Sequence, residues 1–386
     1  MSKAVAILLL EIIALGCHVQ SKTTAKYFSS DSHIKVGNSP ASVMLADVNR
    51  DGTLDLIVAN QRDNNVTVML GDGKGGFTPV PGSPFPAGNS PNDIAIGDVN
   101  GDGKLDLAFA NHDTKYVTVL LGDGRGGFAA APNSPFTVNS RPHPHGIAFG
   151  DFNGDRNLDF VVDDWGNNRV TVVFGDGKGN FASPGVSFAV GRMPYQRVRV
   201  ADVNKDGRPD IITTNTEGGD VTVLLGDGKG GFTPAPGSPF KANARPFGVA
   251  IADVNGDGKL DLAIVNFSGQ GNDTSDDAIT ILLGNGDGTF KSASGSPFAP
   301  GRSPVAVAVG DVNGDGIADV ASANMGGNSV TLLLGGSNGM RPAPGSPFVV
   351  GAHPECVALG DLNGDGKADI VVANLEDNDV SVLLSK

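Results

Sequence analysis

The chain has 386 residues, 39% of them hydrophobic, with 56 Gly and 24 Pro, which suits a sizeable core built from short segments rather than long helical stripes. A formal net charge of −14 excludes a nucleic-acid binder, because phosphates need a basic surface. Two cysteines, Cys17 and Cys356, are too few for a disulfide framework in the main body.

Residues 1–21 read as an export signal. Lys3 precedes an apolar run over residues 4–15, interrupted by Glu11 and followed by Gly16-Cys17 and polar residues. The run is shorter than the ~20 apolar residues of a bilayer crossing, so no transmembrane span is expected. Leu15-Gly16-Cys17 resembles a bacterial lipoprotein cleavage site, although Ala14 stands where such sites favour Leu. Lipid attachment at Cys17 is therefore the alternative to free secretion. The mature chain, 22–386, is expected to be extracellular or cell-surface and monomeric.

From about Ser32 onward the chain repeats. An acid-rich loop begins at Asp47, Asp98, Asp151, Asp202, Asp253, Asp311 and Asp361, at intervals of 51, 53, 51, 51, 58 and 50 residues. Each loop is flanked by apolar runs such as Ile94-Ala-Ile-Gly and Leu107-Ala-Phe-Ala-Asn. A polar turn, Val-Thr-Val-Leu-Leu, a glycine hairpin (Gly122-Asp-Gly-Arg-Gly-Gly) and Ser134-Pro-Phe follow. Four strands per ~50 residues is propeller-blade spacing. The fold class is thus all-β, a seven-bladed propeller of four-stranded blades. The last unit lacks its Ser-Pro-Phe strand, and Ser32-His-Ile-Lys-Val-Gly near the start lines up with it. An N-terminal strand that completes the last blade removes both free edges. The extra length of the fifth unit falls in the polar residues 268–277, and Cys356, which opens an apolar run, reads as a buried, inert thiol.

These units resemble the FG-GAP/VCBS-type repeats of exported bacterial proteins and of the integrin α-subunit propeller, over about nine-tenths of the chain. They are shorter than integrin units and lack the literal Phe-Gly and Gly-Ala-Pro signatures. The resemblance implies the propeller fold and one calcium ion per blade.

The loop residues point to the same ion. Their pattern is Asp-x-Asn-x-Asp-Gly-x-x-Asp, a set of hard oxygen donors of the kind calcium takes in six- to eightfold coordination. The candidate ligands in the first loop are Asp47, Asn49, Asp51, the backbone carbonyl of Thr53, and Asp55. The second loop supplies Asp98, Asn100, Asp102, Lys104 (carbonyl) and Asp106, and the third Asp151, Asn153, Asp155, Asn157 (carbonyl) and Asp159. The fourth has Asp202, Asn204, Asp206, Arg208 (carbonyl) and Asp210, and the fifth Asp253, Asn255, Asp257, Lys259 (carbonyl) and Asp261. Asp311, Asn313, Asp315, Ile317 (carbonyl) and Asp319 form the sixth, and Asp361, Asn363, Asp365, Lys367 (carbonyl) and Asp369 the seventh. The 21 loop aspartates are half of the 42 acidic residues, so up to seven Ca²⁺ would bring the charge balance to about zero. Asx-rich turns without metal are the alternative. Arg156 replaces the glycine at position six of the third loop, and Lys205 and Pro209 modify the fourth, so the Asp151 site is expected to be the weakest.

Gly71-Asp-Gly-Lys-Gly-Gly matches a dinucleotide fingerprint and Gly335-Gly-Ser337-Asn-Gly339 a hydrolase elbow. Both occupy the hairpin position of their units and precede no helix, which excludes those readings. No nucleophile–base pattern is present, so an enzyme is not expected.

In the integrin arrangement the metal loops share one face, and the remaining connections face the other way. On that reading Arg141, His143, His145, Trp165, Arg192, Tyr195, Arg197, Arg245 and Phe247 gather on neighbouring blades at one rim. Arginine forks bind carboxylates and aromatic faces stack on sugars or cations. The expected partner is an extracellular protein or an acidic glycan, making the chain an adhesion scaffold or, alternatively, a lectin; a polysaccharide-active enzyme with Tyr195 and Arg197 is the third option. Ordinary solvated loop side chains are the plainer account of the same residues. Arg199, where other units carry Met44, Ala95, Ala148, Ala250, Ala308 and Ala358, is expected to point into the axial channel or pair with a buried carboxylate.

Overall fold

β-Branched residues favour a pleated, half-buried surface, and here they come in short runs closed by Gly, Asn or Asp. In the computed structural model, which describes residues 27–138, 144–269 and 274–386, these runs are strands. The first blade sets the pattern. Pro40–Ala46, Asp55–Asn60 and Asn65–Gly71 form an antiparallel meander, and a broken outer strand, Phe77–Pro79 then Phe85–Pro86, pairs with the third. The break contains the Ser-Pro-Phe motif, whose Ser83 Oγ accepts the Val68 N–H at 2.9 Å. Ser134, Ser238, Ser296 and Ser346 make the equivalent bond in blades two, four, five and six.

Seven such sheets form the all-β, seven-bladed propeller that the repeats predict. Helical structure among the described residues amounts to two single 3-10 turns, Trp165–Asn167 and Met325–Gly327. None of their helices is long and apolar enough to cross a membrane. The export signal and Cys17 lie outside the described residues.

The ring closes as expected. Phe28–Lys35 pairs antiparallel with Asp379–Ser385, with Ser32 opposite Val382 and Ile34 opposite Val380. Phe28 is buried and meets Phe348 of blade six edge-on, ring centroids 4.8 Å apart. The apolar core is correspondingly divided into one cluster per seam between neighbouring blades, with a smaller eighth cluster of Phe247, Val305 and Met325 on blades five and six. The seam between blades seven and one, where Val371, Val380 and Val382 pack on Val43, Leu56 and Val58, is built like the rest.

Antiparallel meanders put the acid-rich loops and glycine hairpins at one end of every blade and the other connections at the opposite end. Hairpin glycines tie blades one, three, four and six to the loop of the blade before: Gly75, Gly179, Gly230 and Gly336 donate their N–H groups to the carbonyls of Leu362, Val99, Phe152 and Val254. At the other end, asparagines in left-handed turns reach the next blade. Asn64, Asn168, Asn328 and Asn378 accept the N–H groups of Ser90, Met193, His353 and Ser39.

Blade four departs from the pattern. Its inner strand, Pro194–Ala201, carries one residue more than those of blades one, two, five, six and seven, and the register jumps between Pro194 opposite Asn215 and Val198 opposite Thr213. Beyond the bulge the register is that of the other blades, and Arg197 stands where they carry Ser42, Asp93, Gly146, Gly248, Ala306 and Cys356.

Candidate functional site

The seven acid-rich loops share one hydrogen-bond scheme. In each, the first Asp accepts the N–H of residue six, the Asn accepts that of residue five, and the second Asp, at position five, accepts that of residue seven; the second loop has Asp98 with Gly103 at 2.7 Å, Asn100 with Asp102 at 3.0 Å and Asp102 with Lys104 at 2.9 Å. The ninth-position Asp is buried in every blade. Asp106 accepts the Val99 N–H at 2.9 Å and the Gly122 N–H at 2.8 Å, tying the loop to the third strand. Asp55, Asp159, Asp210, Asp261, Asp319 and Asp369 make the same two bonds. The ninth aspartate is therefore a structural clasp in its own right, a role that the metal pattern alone did not announce.

Burial pushes the carboxyls of Asp106, Asp159, Asp210, Asp261 and Asp319 up to about 6, against their two amide bonds, and the aspartates at positions five and one add repulsion. Carboxylates crowded and desolvated in this way form an environment that favours a cation. Among the described residues no three His, Cys, Asp or Glu side chains converge as a metal-holding group. The donor set still fits calcium by its chemistry, since a carboxylate has about four acceptor sites and the amides occupy only some of them. In three loops a basic side chain at position seven already reaches the acid at position five: Lys104 to Asp102 at 2.8 Å, Lys259 to Asp257 at 3.6 Å, and Arg208 to Asp206.

Glycine at position six has positive φ in six loops, and Arg156 adopts the same conformation in the third, at φ 70°. Arg50 and Lys205 do so at position four, at 65° and 61°. The third loop keeps its hydrogen bonds, with Arg156 N–H on Asp151 Oδ2 at 2.9 Å, in a backbone region costly for a side chain.

On the opposite face, rings line up across four blades. His112, His145, Tyr195, Phe247 and Phe267 follow one another with centroid separations of 4.6, 4.1, 5.2 and 5.1 Å. Trp165 flanks the row, 6.3 Å from Tyr195. His145 is buried beside Asp163, whose Oδ1 accepts the N–H groups of His145 and Gly146 at 2.7 and 2.8 Å. Burial pushes the Tyr195 hydroxyl up, and Glu355 and Asp163 add to this. A groove of about 640 Å³ opens between blades four and five, lined among others by Arg192, Tyr195, Glu217, Arg245, Phe247 and Phe267.

Of the nine rim residues expected from sequence, Arg141 and His143 lie outside the described residues. Trp165, Arg192, Tyr195 and Arg245 are at least partly exposed on this face, while His145 and Phe247 are buried beneath it. Arg192 is paired with Glu217 at 2.7 Å, and Arg245 donates to the Ser268 carbonyl. Arg197 is not at the rim. From the inner strand, at the position that Asp93 and Cys356 hold in their own blades, it enters the axial channel, where it is buried, ion-paired with Asp93 of blade two and 3.4 Å from Cys356 Sγ of blade seven. Arg199 follows its expectation, with its guanidinium 3.7 Å from the same Asp93. Cys356 is buried, as expected.

Sequence reasoning missed His112, Phe267, Glu217 and Glu355. The first two were within reach. The residue after the second-strand Asn, or Asp164 in blade three, is Gln61, His112, Trp165, Thr216, Phe267, Met325 or Leu375, so three rings of this face share one repeat position.

Comparison with known proteins follows the fold. The FG-GAP-like repeat family matches at residues 47–109, 98–162, 202–264, 267–322 and 311–372. No curated protein matches the chain. Among solved structures it resembles BBS1N, crystallised in complex with ARL6DN, at 12% identity and TM-score 0.61 over 93% of this chain and 96% of that one. Virginiamycin B lyase from Staphylococcus aureus gives 14% and 0.58 over 92% and 98%. An Agrocybe aegerita lectin described as recognising non-reducing terminal N-acetylglucosamine gives 20% and 0.50 over 89% and 86%. These likenesses establish shared architecture, and the repeats, matched over more than half of its length, establish that the chain belongs to the FG-GAP-like repeat family.

Proposed function

We propose that the protein is an exported binding scaffold, not an enzyme, stiffened by calcium on one face and engaging an extracellular partner with the other. Asp47, Asn49, Asp51, Asp55 and the Thr53 carbonyl, with their six counterparts, would hold the ions. Bound calcium would neutralise the crowded carboxylates and so stiffen loops that hairpin glycines tie to the next blade. The row of rings from His112 to Phe267 carries the binding half of this reading. Seven near-equivalent loops suit a repeated structural job, whereas the rings occupy only blades two to five, and a feature confined to part of a repeat array suits one ligand. The architecture shared with BBS1N, crystallised in complex with ARL6DN, and with a lectin supports binding.

The test is an array of matrix proteins and oligosaccharides probed with residues 22–386 in millimolar calcium. Specific capture is expected that Trp165→Ala weakens at least tenfold and Lys74→Glu, on the hairpin face, leaves intact. Capture lost with Lys74→Glu and kept with Trp165→Ala would contradict the assignment of faces; turnover of a captured polysaccharide would contradict the non-enzymatic reading.

A further inference from the structure

We infer that the groove between blades four and five is a saccharide subsite for an uncharged, hydroxyl-rich sugar. This deepens the binding reading above and rests on it. Two separate departures from the repeat end at this groove. The extra residue of blade four lies beside Tyr195, and the longest second-to-third-strand connection, between Asp261–Asn266 and Ala278–Gly284, ends at its far wall with Phe267 and Asp276. Its volume of about 640 Å³ is in the range of small-molecule sites.

The lining matches the two aspects of a sugar ring. Tyr195 and Phe267, half-buried and packed over the buried Phe247, supply aromatic surface for its C–H face. Sugar hydroxyls both donate and accept, and the walls offer both partners: Arg192 and Arg245 as donors, Glu217 and Asp276 as acceptors, and Thr216 as either. These charges balance. Arg192 Nη2 already donates to Glu217 Oε2 at 2.7 Å, and Arg245 donates to the Ser268 carbonyl. An anionic sugar would meet two carboxylates with both guanidiniums already donating to protein oxygens, so the acidic glycan expected from the arginine count is the poorer fit. An extended peptide is also poorly served. The groove lies at strand ends, where no open sheet edge offers a backbone ladder.

Trp165, the only tryptophan, sits 6.3 Å from Tyr195 and makes a fluorescence reporter. The probes are hexose- and N-acetylhexosamine-terminated oligosaccharides, with alginate and hyaluronate as uronate-bearing counterparts, titrated against residues 22–386 in calcium. A neutral probe is expected to bind. Phe267→Ala should weaken it at least tenfold and Glu217→Ala at least fivefold, both at the parent's melting temperature. Should Phe267→Ala melt low, Glu217→Ala, more than half exposed, carries the test alone. Tighter binding of alginate or hyaluronate overturns the choice of sugar class, and affinity unchanged in both variants overturns the location. Silence toward every glycan, with a matrix protein captured through Trp165, overturns the saccharide subsite and leaves the scaffold reading standing.

Discussion

Arg197 of blade four reaches across the propeller axis to Asp93 of blade two, with both side chains nearly inaccessible to water at 6% and 2% exposure. Removing one partner of a buried pair leaves the other charge uncompensated, typically at about 3–5 kcal/mol. Asp93→Ala is therefore expected to lower the unfolding free energy by about that much. The double replacement Arg197→Met with Asp93→Leu should cost clearly less than the single one. Denaturant unfolding of the parent, of Arg197→Met and Asp93→Leu singly and of the double variant checks this, and a double cost equal to the sum of the single costs would show that the pair is not coupled.

Glu355, next to Cys356 on the inner strand of blade seven, is 3.8 Å from His353 Nδ1, and burial pushes its carboxyl up to about 7 despite the opposing pull of Arg197. A carboxyl with a raised folded-state pKa gives its full stabilising contribution below its unfolded value, and that contribution is lost as pH rises through about 7. Glu355→Gln removes this loss. The variant's melting temperature relative to the parent should climb between pH 5 and pH 8, and a difference independent of pH would contradict the assignment.

Deleting residues 28–37 strips the outer strand from blade seven and uncovers the edge of Asp379–Ser385. It also removes Phe28 from its packing on Phe348, and loss of a buried Phe alone costs about 3–5 kcal/mol. The truncated protein should melt far below the parent and associate through its open edge, as light scattering would show. Parent-like melting would mean that the strand is dispensable.

Arg156 holds a left-handed backbone at φ 70° where six sister loops place glycine. That conformation costs an L-residue about 1–2 kcal/mol, of which the greater chain entropy of glycine offsets part. Arg156→Gly should stabilise the metal-free protein by about 0.5–1 kcal/mol and strengthen calcium binding at the Asp151 loop. Lower stability in thermal unfolding would show that the Arg156 side chain makes a compensating contact.

The ring was legible because each blade repeats the same local chemistry. Strand runs, Asx turns and the Ser-Pro-Phe break recur at nearly constant intervals, and the missing last strand pointed to residues 28–37. Arg197 was within reach of the spacing: it stands before Asp202 as Asp93 and Cys356 stand before Asp98 and Asp361, which places it on the inner strand, and only its burial against Asp93 needed the fold. The clasp role of Asp106 and its counterparts was hidden for a different reason. One residue serves both a turn and a metal pattern, and only the burial of its side chain and its two amide partners separates them. The balance of charge in the groove likewise depends on Arg192 meeting Glu217, 25 residues along the chain, which composition does not reveal.

The most direct test of a calcium-stiffened scaffold is the melting temperature of residues 22–386 in millimolar calcium and in EGTA. A ligand at ~100 times its dissociation constant adds about 2.7 kcal/mol per site, so several filled loops should shift melting upward by roughly ten degrees or more, reversibly. The same melting temperature in both buffers would contradict the claim that calcium holds these seven loops.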